Sequence, residues 1–356
     1  MKILLVSDAQ SIHTKRWAEA FEAEGHIVHV ASFRAASIPG ITVHQLPTLG
    51  LGKLGYFLAV PKLKALFKTI APDVVHAQYV TSYGFIAALA KIKPLVVTAW
   101  GTDILISPKQ SRMIRWLASY ALKHADHVTT VAEHMNSAAL SLGASPEKLT
   151  AIPFGVDTNF FIPSRDRHPS AAIQIISTRN FAPVYNIETL IEALWILKTR
   201  NIKFSASLIG KGPDKERLEG MIQKYSLEKD ITFKGHVAHS TLVDLLGNSD
   251  LFVTTSLSDG NNISLNEAMA TGVFPIASDI PANTQWIEHG KNGFLFKVRN
   301  ATELASCIES AVANPALRKS AEEYNLNLVK QKADWQSGVQ KMKTIYQSII
   351  DGNTHV

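Results

Sequence analysis

A single cysteine, Cys307, excludes an internal disulfide and fits a reducing cytoplasm. No apolar run reaches the roughly 18 residues of a membrane-spanning helix. The opening MKILLVSD turns polar too soon for a signal peptide and reads as a buried first strand. There is no Asp-x-Asp pair. The 13 histidines show no H-x3-H spacing, the i, i+3 pairs such as His124 and His127 coming nearest, so no metal is expected. Repeats of solenoid period and low-complexity tracts are absent. Without a recognised basic–aromatic nucleic-acid motif, nucleic acid is not an expected partner.

What is present is ordinary globular material, 46% hydrophobic and 19% charged over 356 residues, enough for two cores. Charge is unevenly placed. Residues 1–165 hold 16 Lys and Arg against 10 Asp and Glu, whereas 166–356 hold 20 of each. The whole excess of +6 therefore sits in the first half, which suits an anionic partner there. Two stretches concentrate it. Residues 50–68 interleave Lys53, Lys62, Lys64 and Lys68 with Leu, Phe and Tyr, and Arg112, Arg115, Trp116, Tyr120 and Lys123 make a second basic–aromatic helix. Each reads either as a face for an anionic bilayer or as a solvated helix face.

Strand-like runs alternate with helical patterns, which predicts parallel sheets with helices on both faces. The first series falls at 2–7, 26–32, 43–46, 74–77, 95–98, 127–131 and 149–152. The second falls at 173–177, 204–210, 231–234, 251–255 and 273–277. A Pro-flanked segment, 153–169, separates them. A helix over 13–24 stops at Gly25 and brings His13 to the ligand edge of the first strand. One helical pattern runs over 316–347, and the last five residues are expected to fray.

The most informative stretch is 256–272, SLSDGNNISLNEAMATG. A strand feeds a polar loop and then a helix whose Leu265, Ala268 and Met269 recur on one face. Asn261 or Asn262 is the expected N-cap, and Gly272 the C-terminal stop. The free amides of such a helix start favour a phosphate. Asp259 and Glu267, eight residues apart, can accept hydrogen bonds from hydroxyl groups. Together these features suit a sugar nucleotide.

This stretch resembles the acidic-x7-acidic motif of the family 4 retaining glycosyltransferases. The family's usual pair is two glutamates; here it is Asp259 and Glu267. Residues 267–279, EAMATGVFPIASD, resemble the family's EAMA-x-G-x-P-V-x-A-S pattern closely, with Phe274-Pro275 where the pattern has Pro-Val. The resemblance implies the GT-B fold: two Rossmann-like, doubly wound parallel-sheet domains facing a cleft, with the last helices crossing back to the first domain. The implied division is an acceptor-binding domain over 1–165, a nucleotide-sugar domain over 166–330 and a returning helix over 331–356.

Residue by residue, the resemblance gives Asp259 the sugar hydroxyls, Glu267 the nucleotide ribose, and the backbone of Gly260, Asn261, Asn262, Ile263 and Ser264 the phosphate and sugar. Where the family often has GFG, this chain has Gly260-Asn261-Asn262. Arg179 matches the family arginine on the donor diphosphate, but Tyr185 stands where the companion lysine is expected. One charge-assisted contact is worth about 1.5–3 kcal/mol. Lys211, in the Gly210-Lys211-Gly212-Pro213 turn, reads either as its substitute or as a solvated loop lysine. The segment 233–237, ending at Val237, resembles the nucleobase loop.

The first half departs further. Residues 96–103, VVTAWGTD, stand where T-x-H-G-x-D is frequent, with Trp100 for the histidine and Asp103 kept. Trp100 reads either as a ring stacked on a sugar or as a core side chain. Gln78 replaces the second histidine of a V-H-x-H strand. His13, Trp100 and Asp103 form the expected acceptor side.

The expectation is a cytoplasmic, metal- and cofactor-independent retaining hexosyltransferase. It uses a nucleotide sugar, with a UDP-sugar favoured, and a lipid-linked saccharide or other cell-envelope precursor as acceptor, with a possible anionic membrane surface as partner. A non-catalytic GT-B subunit and a GT-B epimerase are the alternatives.

Overall fold

The computed structural model describes residues 1–48, 55–163 and 172–353. Lys53, the boundary expected at 165/166 and the end of the frayed terminus lie outside the described residues. The chain divides into two units: Met1–Phe154 with Gln336–Val356, and Gly155–Trp335.

The first unit is built on a parallel sheet of seven strands. These are β1 (Lys2–Val6), β2 (Ile27–Ser32), β3 (Thr42–Gln45), β4 (Val74–Gln78), β5 (Leu95–Ala99), β6 (His127–Thr130) and β7 (Leu149–Ala151), in the order β3-β2-β1-β4-β5-β6-β7. β4 and β5 are buried along their whole length, as expected when helices cover both faces. Helix Ile12–Ala23 starts on Ser11, whose hydroxyl caps the His13 amide, and the chain leaves it through Gly25 at φ +80°.

The second unit carries a parallel sheet of six strands: β8 (Ile173–Ser177), β9 (Phe204–Ile209), β10 (Ile231–Gly235), β11 (Leu251–Thr254), β12 (Phe274–Ser278) and β13 (Phe294–Phe296). Their order is β10-β9-β8-β11-β12-β13. β13, three residues long, is not among the strands expected from the sequence.

The helical pattern over 316–347 is not one helix. It breaks into Pro315–Lys332 and Trp335–Asn353, and the two units divide at that break. Asp334 between them pairs as a bridge with Val156 and accepts from the Thr158 hydroxyl at 2.7 Å. The last helix therefore belongs with the first sheet. Its Tyr346 hydroxyl lies 2.6 Å from His76 Nδ1 on β4, and Lys343 pairs with Glu24.

In both sheets the winding direction reverses once, between β1 and β4 and between β8 and β11. In open parallel sheets the carboxyl ends of the strands at such a switch point diverge and leave a crevice.

Candidate active site

In the second unit the residues after β8 and β11 meet at that switch point. Arg179 is almost wholly buried. One guanidinium nitrogen, Nη2, pairs with Asp259 Oδ2, and Nη1 donates to Asn262 Oδ1 at 3.0 Å. The guanidinium carbon lies 4.3 Å from the Tyr185 ring centroid, a cation–π stack. Tyr185, at the position where a lysine was expected, thus carries no charge of its own and instead seats the charge of Arg179. Its turn, Pro183–Tyr185, is fixed to the exit of β11: Leu257 N donates to Val184 O, and the Thr255 hydroxyl donates to Tyr185 O, both at 2.8 Å.

Helix Ile263–Ala270 starts here with Asn262 as N-cap, its Oδ1 accepting from Leu265 N at 3.2 Å. Asn262 Nδ2 donates to Asn283 Oδ1 at 2.9 Å. With Oδ1 shared between the cap and Arg179, Asn262 is committed to holding the site together. Asn261 is different. Its side chain is buried, and neither polar atom has a hydrogen-bond partner among the described residues.

The same is true of Ser177 Oγ, Thr178 Oγ1, Arg179 Nε and both amide atoms of Asn266. Seven of the twelve such atoms among the described residues thus gather on β8, its exit loop and this helix start. Buried polar groups are nearly always paired, so this concentration suits a polar ligand or ordered water. Asn266 was not found from sequence; its spacing of four from Asn262 was the available signal. Ser264 Oγ is tied to Thr178 O at 3.1 Å, Gly260 is buried beside it, and Glu267 lies half-buried in the helix.

The loop carrying Lys211 passes under Arg179. A Cβ on Gly212 would stand 2.0 Å from Phe181 O, and one on Gly210 2.4 Å from Arg179 O, so only glycine allows this approach. The Lys211 side chain is exposed. Ile263 and Val237 pack on the core cluster of Phe252, Leu265 and Met269.

In the first unit the switch point opens into a cavity of about 530 Å³, lined chiefly by Phe33, Tyr56, Tyr79, Tyr83 and Trp100. The Asp8–Arg34 pair, 3.4 Å apart, also contributes to its lining. Tyr79 is strained, with φ +79°, and the chain after it makes a π-helical turn, Val80–Gly84, a device found often at functional sites. Burial pushes the Tyr83 hydroxyl up to about 12, so it remains a neutral donor.

Asp103 is fully buried. Its carboxylate accepts from the amides of Val80, Gly101 and Trp100, at 2.8, 2.8 and 3.1 Å. It therefore fixes Trp100 and the π turn from behind. Burial raises its pKa against these stabilising amides. His13 stacks on Phe154 at 3.9 Å and meets Trp100 edge-on at 5.5 Å. Burial, with Arg16 nearby, pushes its pKa down to about 4, which keeps the imidazole neutral near pH 7. Trp100 is half-buried and lines the cavity. Tyr79 and Tyr83 escaped the sequence reading because aromatics beside parallel strands look like core, and Tyr56 was read with the basic–aromatic face of 50–68.

Comparison with known proteins identifies the family and the fold. The model for glycosyl transferases group 1 matches residues 160–327, and that for glycosyl transferase 4-like proteins matches 2–132. WcaL of Salmonella typhimurium, assigned to colanic acid biosynthesis as a glycosyltransferase, is 29% identical over 173 residues. That stretch covers 47% of this chain and 42% of the relative's length. Sucrose-phosphate synthase from Thermosynechococcus elongatus superposes with a TM-score of 0.86 at 18% identity, covering 99% of this chain and 100% of that one. HepE of Anabaena, solved with UDP and glucose, gives 0.83 at 20% identity, covering 98% and 100%. The fold is GT-B, and the chain is a glycosyltransferase whose second half matches the group 1 family and whose first half matches the 4-like family.

Proposed function

We propose that the protein transfers a hexose, with retention and without a metal ion, from a UDP-sugar to a lipid-linked saccharide of cell-envelope polysaccharide assembly. The observation that carries this reading is the cluster of partnerless buried polar atoms around Arg179 at the start of helix Ile263–Ala270. A diphosphate is the ligand that a buried guanidinium and a helix N-terminus favour together. The HepE structure with UDP and glucose supports UDP as the nucleotide, and the assignment of WcaL supports a polysaccharide precursor as acceptor.

In this reading the bond between the sugar's anomeric carbon and the diphosphate oxygen breaks while the acceptor oxygen bonds to the same face. The acceptor's proton passes to the departing phosphate oxygen. Arg179 and the helix amides neutralise the negative charge that develops on the leaving UDP. Asp259 and Asn261 hold sugar hydroxyls, Glu267 holds the ribose, and Val237 lies beside the base. The aromatic cavity of the first unit receives the acceptor ring, whose C–H faces pack on Tyr and Trp rings.

The test is nucleotide release from UDP-, GDP- and TDP-hexoses, with and without a polyprenyl-diphosphate-linked monosaccharide, with the product's anomeric configuration read by NMR. The expected result is acceptor-dependent UDP release and a retained configuration. Isomerised donor without transfer would make the protein an epimerase. Neither binding nor release for any donor would make it a non-catalytic subunit.

A further inference from the structure

No helix among the described residues is long and apolar enough to cross a membrane. A lipid-linked acceptor can be met at a membrane surface. The geometry points to one such surface on the first unit: the joined outer faces of helices Gly55–Ile70 and Arg112–His124, which dock on an anionic lipid bilayer. This deepens the proposed function and rests on it for the identity of the acceptor.

Four of the twelve large apolar side chains that stand out on the described surface gather here: Phe57, Leu58, Met113 and Trp116, between 40% and 54% exposed. They form a patch. Phe57 and Trp116 both pack edge-on against Phe85, at 5.8 and 5.5 Å, and helix Phe85–Leu89 lies between the two longer helices. Exposed apolar patches of this kind mark interaction surfaces.

Charge complementarity names the partner. Lys64 and Lys68 continue the exposed face that begins at Phe57, and Arg112, Arg115 and Lys123 flank Trp116. Neither helix contains an acidic residue. Among the described residues none of these five cations has an acidic ion-pair partner. A protein interface of ordinary composition would bring counter-charges. An apolar, aromatic centre with only cations around it instead matches the headgroup layer of anionic lipid over acyl chains.

Continuity with the acceptor cavity is the second argument. Tyr56, a wall of that cavity stacked on Phe33 at 5.4 Å, immediately precedes Phe57. A saccharide in the cavity could keep its lipid tail in the bilayer under Phe57 and Trp116.

The test is co-sedimentation of the full chain with phosphatidylcholine vesicles, with and without 30% phosphatidylglycerol, at low and high salt. Each basic side chain near such a surface strengthens binding about fivefold. Wild type is expected to bind the anionic vesicles at low salt, to be released by high salt, and to bind neutral vesicles at least about tenfold more weakly. Phe57→Ser with Trp116→Ser, and separately Lys64→Glu with Arg112→Glu, should each weaken binding at least about tenfold. UDP affinity is measured on the same samples. If UDP binds but vesicles do not, or if both double variants bind vesicles like wild type, docking at this surface is wrong and the transferase reading stands. If sedimentation velocity shows a wild-type dimer that Phe57→Ser with Trp116→Ser abolishes, without lipid dependence, the patch joins two copies and the proposal fails.

Discussion

Arg179 holds a full charge in a nearly closed site, with Asp259, Asn262 and the face of Tyr185 around it. Removing the ring should release it. Tyr185→Ala is expected to weaken UDP binding about 2- to 30-fold, the worth of a cation–π contact of about 0.5–2 kcal/mol. Tyr185→Phe should retain most of the affinity; an equal loss in both variants would place the effect on the hydroxyl instead. The two asparagines separate by role. Asn262→Ala removes a helix cap and a bond to Arg179, and should cost about 1–2 kcal/mol of stability in urea melts. Asn261→Ala breaks no internal bond and removes two unpaired buried polar atoms, so it should cost less stability than Asn262→Ala while weakening the sugar donor. Equal destabilisation by both would contradict that division. This difference could not be read from Gly-Asn-Asn in the sequence, because which amide caps and which stays unpartnered depends on Arg179 and Asn283, residues distant in the chain.

Elements decide how these side chains are presented. Loop 178–181 sits directly on the Gly210–Gly212 turn with no room for a Cβ. Gly212→Ala is therefore expected to destabilise the fold and to weaken UDP binding, although Gly212 need not touch the nucleotide. A stable Gly212→Ala with wild-type UDP affinity would show that the turn does not position Arg179. The sequence announced this turn and helix Ile263–Ala270 well, since Gly-x-Gly-Pro and an Asn cap before an apolar face are local signals. It was silent on the first unit's cavity, where the shape comes from a π turn after a strained Tyr79 and from Asp103 tying Trp100 to that turn. Such strain is tertiary in origin and leaves no period to detect.

At the scale of the whole molecule, the last helix is secured to the first sheet through a buried Tyr346–His76–Thr98 chain, with contacts of 2.6 and 2.5 Å. Tyr346→Phe leaves one imidazole nitrogen buried and unpaired, which should cost about 1–3 kcal/mol. Burial pushes His76 from 6.5 down to about 3. Above pH 6.5 it is neutral whether folded or unfolded; between 6.5 and about 3 only the unfolded chain takes up the proton. Stability should fall with pH in that window by about 1.4 kcal/mol per unit from this residue. Urea melts at pH 7.5 and 5.0 should show His76→Gln losing less stability than wild type across the interval. Equal losses would mean that His76 is protonated in the folded state. The alternation of strands and helices made the two sheets legible in the sequence, while the break at Ala333 and Asp334 did not show in the helical periodicity, since both flanking helices share one pattern.

The central claim, that Arg179 and the start of helix Ile263–Ala270 grip a diphosphate, is tested most directly by calorimetric titration of UDP and of uridine into wild type and Arg179→Ala. Loss of one charge-assisted contact predicts UDP binding about 10- to 150-fold weaker in the variant, with uridine binding unchanged. Equal UDP affinity in the two proteins, or a parallel loss for uridine, would contradict the account.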